Sequence, residues 1–333
     1  ARAESTTMKL LLKILGGLLL LVILALSALA VVLSHESACT ALPGPAAGAD
    51  HMKAIRYNCY GSPEVLAYTD VARPTPGDGE VLVRVHAAGV NPLDWHYMRG
   101  APYFMRLMSG IGAPEDPRLG VDFAGTVEAV GAGVTRYSPG DRVFGGAAGA
   151  FAEYLIIAED RALTSLPDKV SFAQGAAVPI AAITALQALR DKGQLQAGQR
   201  VLVNGASGGV GTFAVQIARA MGAEVSGVCS TRNVDMVRSL GADRVFDYKR
   251  ENYTESGQKF DLIVDMIGNH SLADNRRVLT PGGRLVMVGG GEGNWMGPML
   301  RPISAALVSP FVEQELISLL ARLDADDLAT LGE

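Results

Sequence analysis

The feature that most restricts the fold is a strand, a glycine-rich turn and a helix that follow one another between residues 200 and 223. RVLVNG is typical of a buried strand, GASGGVG at 205–211 forms the turn, and TFAVQIARAMGA has the spacing of an amphipathic helix. Glycines in this position let a phosphate approach the backbone, and the helix amides favour its negative charge. Instead of an ordinary glycine-rich turn, we therefore predict a dinucleotide site at Ser207, Gly208, Gly209, Val210 and Gly211.

The second half of the chain keeps alternating between strand and helix periods. We predict strands at 200–204, 224–229, 243–247, 261–265 and 283–288, and helices at 209–221, 233–240 and 271–278. A sixth strand is expected within 314–323, and a helix begins at 324. Alternating units of this length predict an α/β fold with a doubly wound parallel sheet.

The first half has a different pattern. Strand-like runs at 80–90 and 125–145 are separated by Gly, Pro and Asp turns, which predicts a mainly β domain. Helical spacing first appears at 176–189. We therefore divide the folded part into a β domain at 52–175 and a dinucleotide domain at 176–333.

The residues after the second predicted strand indicate which dinucleotide binds. An acid is expected there when the ribose carries a free 2′-hydroxyl, but VCSTRN at 228–233 places Ser230, Thr231 and Arg232 at this corner. Hydroxyl donors and a guanidinium bind a 2′-phosphate, so we predict NADPH, with Tyr248 near the same phosphate. The alternative for Arg232 is a solvated arginine at a helix start.

The N-terminal region contains an uncharged apolar segment, residues 14–33. Its twenty residues match a bilayer core of about 30 Å, so residues 1–34 are interpreted as a single-pass membrane anchor. A cleaved signal segment and a buried core helix are the alternatives. Arg2, Lys9 and Lys13 place the N-terminus in the cytoplasm by the positive-inside rule. Residues 35–51 have the composition of a linker, and a start at Met52 would give a cytoplasmic product.

Charge and cysteine usage exclude other classes. The net charge is −5 and no basic run follows residue 60, so we expect no nucleic-acid partner. Cys39, Cys59 and Cys229 are odd in number and far apart, and they form no CxxC motif. From this spacing we expect neither a disulfide framework nor a metal site.

Several longer motifs together resemble the medium-chain dehydrogenase/reductase superfamily, most closely its zinc-free quinone oxidoreductase branch. They are GVNPLDWHYMRG, LGVDFAGTVEAVGAGVTRYSPGDRVFG, VPIAAITALQAL, LTPGGRLVMVGGG and the dinucleotide segment from residue 201 to 248. The resemblance runs from Met52 to the C-terminus. It implies a GroES-like β domain, a Rossmann domain, an active site in the cleft between them, and a possible homodimer.

The resemblance also implies a reaction without zinc. Zinc-dependent relatives carry a cysteine ligand and a Gly-His-Glu, and those places hold Asn91 and Gly120-Val121-Asp122 here. Without a Lewis acid to lower an alcohol pKa, alcohol oxidation loses its usual driver. We therefore expect hydride transfer to a small acceptor, namely a quinone or an α,β-unsaturated carbonyl. A non-catalytic NADPH-binding protein and an alcohol dehydrogenase are the alternatives.

Site residues follow from the same resemblance. Asn91 and Asp94 lie beneath the nicotinamide, Thr184 faces its ring, and Gly289 and Gly290 lie near its end. Candidates for polarising or protonating the acceptor are Tyr97, Tyr103 and His96, although loop aromatics more often pack and a loop histidine more often faces solvent.

Two tensions remain at the sequence level. Members of the superfamily continue for a few dozen residues that return to the β domain, so we expect that segment to be missing and a strand edge to be exposed. NADPH is a cytoplasmic reductant, whereas the charges before residue 14 place the domains across the membrane. An inverted topology or a start at Met52 would resolve the second tension.

Overall fold

The structure is a computed structural model that describes residues 2–46, 48, 50–291, 293–295 and 297–332, with side chains from residue 13 onward. The first helix, α1, spans Arg2–Ser34. Its stretch Lys13–Ser34 has a mean hydropathy of 2.9, and its most apolar 18-residue window is 0% buried, so it is long and apolar enough to cross a membrane. The predicted hydrophobic helix is confirmed, and the chain does not bury it as a core helix. The side chains of Arg2 and Lys9, used for the predicted orientation, lie outside the described residues.

The β domain is built from two antiparallel sheets. Its strands and short helices are β1 (His51–Arg56), β2 (Ala67–Ala72), β3 (Glu80–Ala88), α2 (Pro92–Arg99), α3 (Arg106–Ser109), β4 (Asp122–Val130), β5 (Arg142–Gly146), β6 (Tyr154–Ala158) and β7 (Leu163–Ser165). β1 pairs with β2, and the other five strands have the order β6-β3-β4-β5-β7. Alternate residues such as Val81, Val83, Phe123 and Val143 point into one buried core.

The dinucleotide domain has a parallel sheet with helices on its faces. Its elements are α4 (Phe172–Ala176), α5 (Pro179–Leu186), β8 (Arg200–Asn204), α6 (Gly209–Ala220), β9 (Glu224–Cys229), α7 (Val234–Ser239), β10 (Arg244–Asp247), β11 (Phe260–Asp265), α8 (Leu272–Arg277), β12 (Leu279–Met287), α9 (Gly297–Val308), β13 (Glu315–Ser318) and α10 (Ala325–Gly332). All neighbouring strands are parallel, in the order β10-β9-β8-β11-β12-β13. The order reverses between β8 and β11, which confirms the predicted doubly wound sheet.

Several elements differ from those expected. β12 begins at Leu279 instead of 283, and the sixth strand covers only Glu315–Ser318. Helix α9 was not predicted, because Pro302 lies inside it and glycines at 289–291 precede it. The helical pattern at 176–189 forms α5 and a π-helical segment, Gln187–Lys192.

Residues 322–332 form a returning segment that lies against the β domain. Leu328 is fully buried in a cluster with Ala124, Phe144 and Ile183, and α10 packs against β7, the outer strand. Gln187 of the π-helical segment donates to the Arg322 carbonyl at 2.8 Å and to Asp327 at 2.7 Å. An ion pair strengthens this contact, because Arg190 Nη2 lies 2.6 Å from Asp327 Oδ1.

The cysteine prediction was also wrong for two of the three residues. Cys39 and Cys59 form a disulfide, whereas Cys229 is free and buried. The reason is that the predicted linker folds back on the β domain directly after α1, so Cys39 meets the chain just past β1. Asn58 strengthens this contact by donating from Nδ2 to the Thr40 carbonyl at 2.6 Å.

The returning segment predicts a stability effect. Leu328→Ala removes a side chain with 0% exposure at the junction of the domains and should lower the free energy of unfolding by about 2–5 kcal/mol. Thr330→Ala, on the exposed face of the same helix, is the matched control. Urea unfolding followed by tryptophan fluorescence measures both. Equal midpoints for the two variants would show that the segment does not contribute to the core.

Candidate functional site

The glycine-rich turn has the geometry that a pyrophosphate needs. Gly205 directly follows β8 and has φ +95°, and a Cβ on Gly211 would lie 2.1 Å from the Gly205 carbonyl oxygen. Only glycine therefore allows α6 to start this close to the strand. By contrast, a Cβ on Gly208 or Gly209 would meet no atom closer than 3.4 Å. This open space above the first turn of the 12-residue helix α6 is where a phosphate can contact the backbone amides.

The remaining predicted residues of the turn have different roles. Ser207 is half-buried, and its hydroxyl forms no hydrogen bond within the described part of the chain, so it is available to a phosphate. Val210 packs against the buried apolar cluster beneath the sheet. Its side chain therefore anchors α6, and only its amide can face a ligand.

The structure brings the predicted 2′-phosphate residues together. Ser230, Thr231, Arg232 and Tyr248 line one open pocket beyond the ends of β9 and β10. Lys249 lines the same pocket and was missed from the sequence. The sequence shows only that Lys249 follows Tyr248. It is the pairing of β9 with β10 that places Lys249 beside Arg232. We call these five residues the phosphate corner.

An acid does lie near the phosphate corner, at the end of β10. Asp247 accepts a hydrogen bond from the Thr231 hydroxyl at 2.7 Å, and this bond holds the pKa of Asp247 below its ordinary value. Arg250 lies 3.4 Å from the same carboxylate. The Thr231 hydroxyl is therefore occupied, while Arg232 forms no ion pair among the described residues. The corner keeps two cations, Arg232 and Lys249, for an anionic ligand.

Three polar residues meet where β4 and the residues before α2 face the start of α5. Asn91 donates from its backbone N–H to Asp94 at 2.7 Å, and its side-chain amide donates to Asp122 at 3.0 Å. Asp122 also accepts from the backbone N–H of Ile180, at the start of α5, at 3.1 Å. Asp122 was not predicted as a candidate site residue, although it stands where zinc-dependent relatives are expected to carry glutamate.

Asp94 and Asp122, the acidic pair, are almost completely buried, with 3% and 1% exposure. Burial raises the pKa of Asp94 to about 6 and the pKa of Asp122 to about 7. The negative charge of Asp94 raises the pKa of Asp122 further, and the hydrogen bonds from Ile180 and Asn91 oppose this shift. One oxygen of Asp94 is buried without a hydrogen-bond partner. The pair therefore changes its protonation near neutral pH.

Other candidate residues have their polar groups engaged in structure. Thr184 is buried in α5 and donates its hydroxyl to the Ile180 carbonyl at 2.6 Å. His96 Nδ1 lies 2.6 Å from the Ala101 carbonyl oxygen, and Tyr97 packs in a cluster with Tyr57 and other apolar residues. These contacts favour a supporting role for Thr184, His96 and Tyr97.

Tyr103 lies where the two domains meet. Its backbone N–H donates to the Asn294 carbonyl at 2.7 Å, and its ring contacts the Trp295 ring edge-on with centroids 4.7 Å apart. Residues 294 and 295 belong to the segment between β12 and α9. Tyr103 is therefore held against the loop at the carboxyl edge of the parallel sheet.

The same edge depends on glycine and on a buried ion pair. A Cβ on Gly289 would lie 1.9 Å from the Met266 carbonyl oxygen, and one on Gly290 would lie 3.2 Å from the Pro298 carbonyl oxygen. Asp265, fully buried, lies 2.7 Å from Arg301 of α9 and accepts from Asn204 at 2.8 Å. This pair, which was missed because α9 was not predicted, holds the loop beside the predicted nicotinamide end.

Within the described ranges, no group of three or more His, Cys, Asp or Glu side chains is arranged to hold a metal ion. The acidic pair with Asn91 contributes two carboxylates and one amide, and the amide donates to Asp122.

Two family descriptions match the chain. Residues 77–168 match the alcohol dehydrogenase GroES-like domain, and residues 209–304 match the zinc-binding dehydrogenase family. These ranges fall in the β domain and in the dinucleotide domain respectively.

Individual proteins show the same likeness. The quinone oxidoreductase of Sus scrofa is 42% identical over 254 residues, which cover 73% of this chain and 75% of that protein. A quinone oxidoreductase structure from Coxiella burnetii aligns with a TM-score of 0.73 at 28% identity, over 85% of this chain and 87% of that one. The Escherichia coli quinone oxidoreductase complexed with NADPH aligns with a TM-score of 0.69 at 26% identity, over 84% and 85%. The chain belongs to the medium-chain dehydrogenase/reductase superfamily, in its quinone oxidoreductase branch.

Proposed function

We propose that this protein is an NADPH-dependent oxidoreductase that reduces a quinone or an α,β-unsaturated carbonyl without zinc. One observation carries the proposal: Asn91 donates to Asp122 where zinc-dependent relatives are expected to carry a cysteine ligand and a glutamate. The Asn91 amide nitrogen and the Asp122 carboxylate are bonded to each other, so this pair is arranged as a hydrogen bond and not as two ligands facing a metal ion. The similarity to quinone oxidoreductases supports the acceptor class.

NADPH fits the residues that are present. Gly208 and Gly209 leave space for the pyrophosphate, and the α6 amides face it. Arg232 and Lys249 supply the positive charge for the 2′-phosphate. When bound, the reduced nicotinamide supplies the hydride, and the protein contributes orientation and charge.

The cleft residues position the acceptor and adjust the local charge. Asn91 is fixed from both sides, by its backbone bond to Asp94 and its side-chain bond to Asp122. Its amide oxygen is left to orient a polar group of the acceptor or the cofactor. Reduction of a quinone or an enone consumes a proton as well as a hydride, and the acidic pair holds protons in the neutral range beside the cleft.

We also propose that α1 anchors the protein in a membrane. The exposed apolar stretch Lys13–Ser34 supports the anchor. The charges before it and the Cys39–Cys59 disulfide, which is typical of oxidising compartments, both favour domains on the far side from the cytoplasm. Translation from Met52 would instead give a soluble product that lacks Cys39. A homodimer stays a prediction.

The main test is NADPH consumption with a panel of quinones and alkenals, together with elemental analysis. We expect turnover with at least one acceptor, no bound zinc, and a kcat about tenfold or more lower in Asn91→Ala, because a lost orienting contact misplaces the reacting groups. Gln196→Ala, an exposed amide before β8 at the opposite edge of the sheet, is the matched control. Tight NADPH binding without turnover would favour a binding protein, and stoichiometric zinc would favour an alcohol dehydrogenase.

Cofactor preference is tested at the phosphate corner. Arg232→Ala and Lys249→Ala should each raise the KM for NADPH about tenfold or more, because a hydrogen bond to a charged group contributes roughly 1.5–3 kcal/mol. The KM for NADH should change little, since NADH has no 2′-phosphate. Arg219→Ala, which removes an exposed arginine paired with Asp243, is the control. A wild-type enzyme that uses NADH as well as NADPH contradicts the assignment.

Stability should depend on pH through Asp94. Its pKa is raised in the folded state to about 6, so its contribution is fully present below the unfolded value near 4 and is lost as pH rises through about 6. The unfolding free energy of the wild type falls between pH 4 and pH 8, and in Asp94→Asn this fall should be smaller by on the order of 2 kcal/mol. Urea titrations at both pH values measure this, with exposed Asp78→Asn as control. An unchanged pH slope in Asp94→Asn would disprove the buried-acid explanation.

A further inference from the structure

We propose that Phe104, Leu107, Met108 and Ile111 form a lipid-contact surface that rests on the bilayer beside α1. This inference depends on the proposed membrane anchor and adds a second attachment to it. It concerns how the active-site cleft is oriented towards the membrane.

The four side chains are apolar and open to solvent. Their exposed fractions are 40% for Phe104, 62% for Leu107, 86% for Met108 and 52% for Ile111. They lie within eight consecutive positions that include α3, on the connection between α2 and β4. A contiguous apolar patch of this kind marks an interaction surface.

A buried arginine attaches this connection to the end of α1. Arg106 is fully buried and donates from Nη1 to the Leu33 carbonyl at 3.0 Å and the His35 carbonyl at 2.9 Å. Its Nη2 donates to Glu36 at 2.9 Å. A cation is well placed at a helix C-terminus, where the last carbonyls have no helical partner.

The position of Arg106 sets the depth of the surface. Leu33 is the last residue of the uncharged apolar segment, so its carbonyl lies at the boundary of the hydrocarbon core when α1 spans the bilayer. Leu107 and Met108 directly follow Arg106 in the chain. They therefore lie at the level where apolar side chains of peripheral helices enter the interface.

Further contacts prevent the domain from turning away. Ser37 donates its backbone N–H to the Gly112 carbonyl at 2.8 Å, one residue past Ile111. The Cys39–Cys59 disulfide ties the chain after α1 to the end of β1. Because the attachments flank the patch, the patch must move with α1.

The surface also adjoins the cleft. Tyr103, next to Phe104, stacks over the Arg106 guanidinium at 4.5 Å and contacts the 294–295 loop across the domains. A surface resting on lipid would therefore hold this side of the cleft at the membrane. The continuity with α1 favours lipid over a second copy or another protein as the occupant.

The test uses the full chain in phosphatidylcholine vesicles, with a nitroxide label on Met108→Cys. Oxygen concentrates in lipid and a charged nickel chelate stays in water, so the ratio of their collision rates with the label reports depth. Labels on Leu21→Cys in α1, 64% exposed, and Leu320→Cys, 90% exposed, are the matched apolar controls. The native cysteines do not interfere, because Cys229 is buried and the other two are bonded.

We expect the oxygen-to-nickel ratio to be severalfold higher at positions 21 and 108 than at 320. A label at 108 that behaves like the label at 320, while position 21 reports lipid, overturns the lipid-contact surface and leaves the anchor intact. Protection of position 108 from both reagents identifies a protein contact and also overturns it. A water-exposed label at position 21 overturns the anchor and, with it, this proposal.

Discussion

The arrangement of the cleft depends on one buried carboxylate. Asp122 begins β4 and accepts from the backbone of Ile180 at 3.1 Å and from the side chain of Asn91 at 3.0 Å. These two donors belong to the start of α5 and to the residue before α2, so Asp122 joins the two domains at the site. The burial that raises its pKa is the cost of this arrangement, because a buried charge is tolerated only when it is hydrogen-bonded. The orientation of the Asn91 side chain therefore depends on its hydrogen bond to Asp122.

Much of the fold could be predicted because the signals are local. Strands buried on both faces are continuous apolar runs, and β8, β9 and β11 begin and end within one residue of their predicted limits. Where local preference opposed the structure, the prediction failed. Helix α9 contains Pro302, and its stability comes from tertiary contacts such as the pairing of Arg301 with Asp265. The length of β12 was missed because Gly282 and Gly283 weaken the strand pattern.

Part of the candidate site could be predicted from local sequence, and part could not. The glycine-rich turn and the phosphate corner follow directly from strand ends, so their residues could be chosen from spacing. Lys249 required knowledge that β9 and β10 are neighbours, and Asp122 required the hydrogen bond to Asn91, 31 positions away. No spacing rule predicts that Cys39 meets Cys59, since that contact exists only because the chain folds back after α1.

The segment after α1 shows how tertiary contacts can overrule composition. Its Pro, Gly and Ala content favours a flexible linker, which would leave the domains free to move relative to the anchor. Arg106 instead holds the residues at the helix end, and the disulfide holds the chain a few residues later. Fixing these residues costs about 1–2 kcal/mol of backbone entropy each, so the attachment exists only because several hydrogen bonds and a covalent bond act together. The chain directly after α1 is therefore attached to the β domain at both of these points.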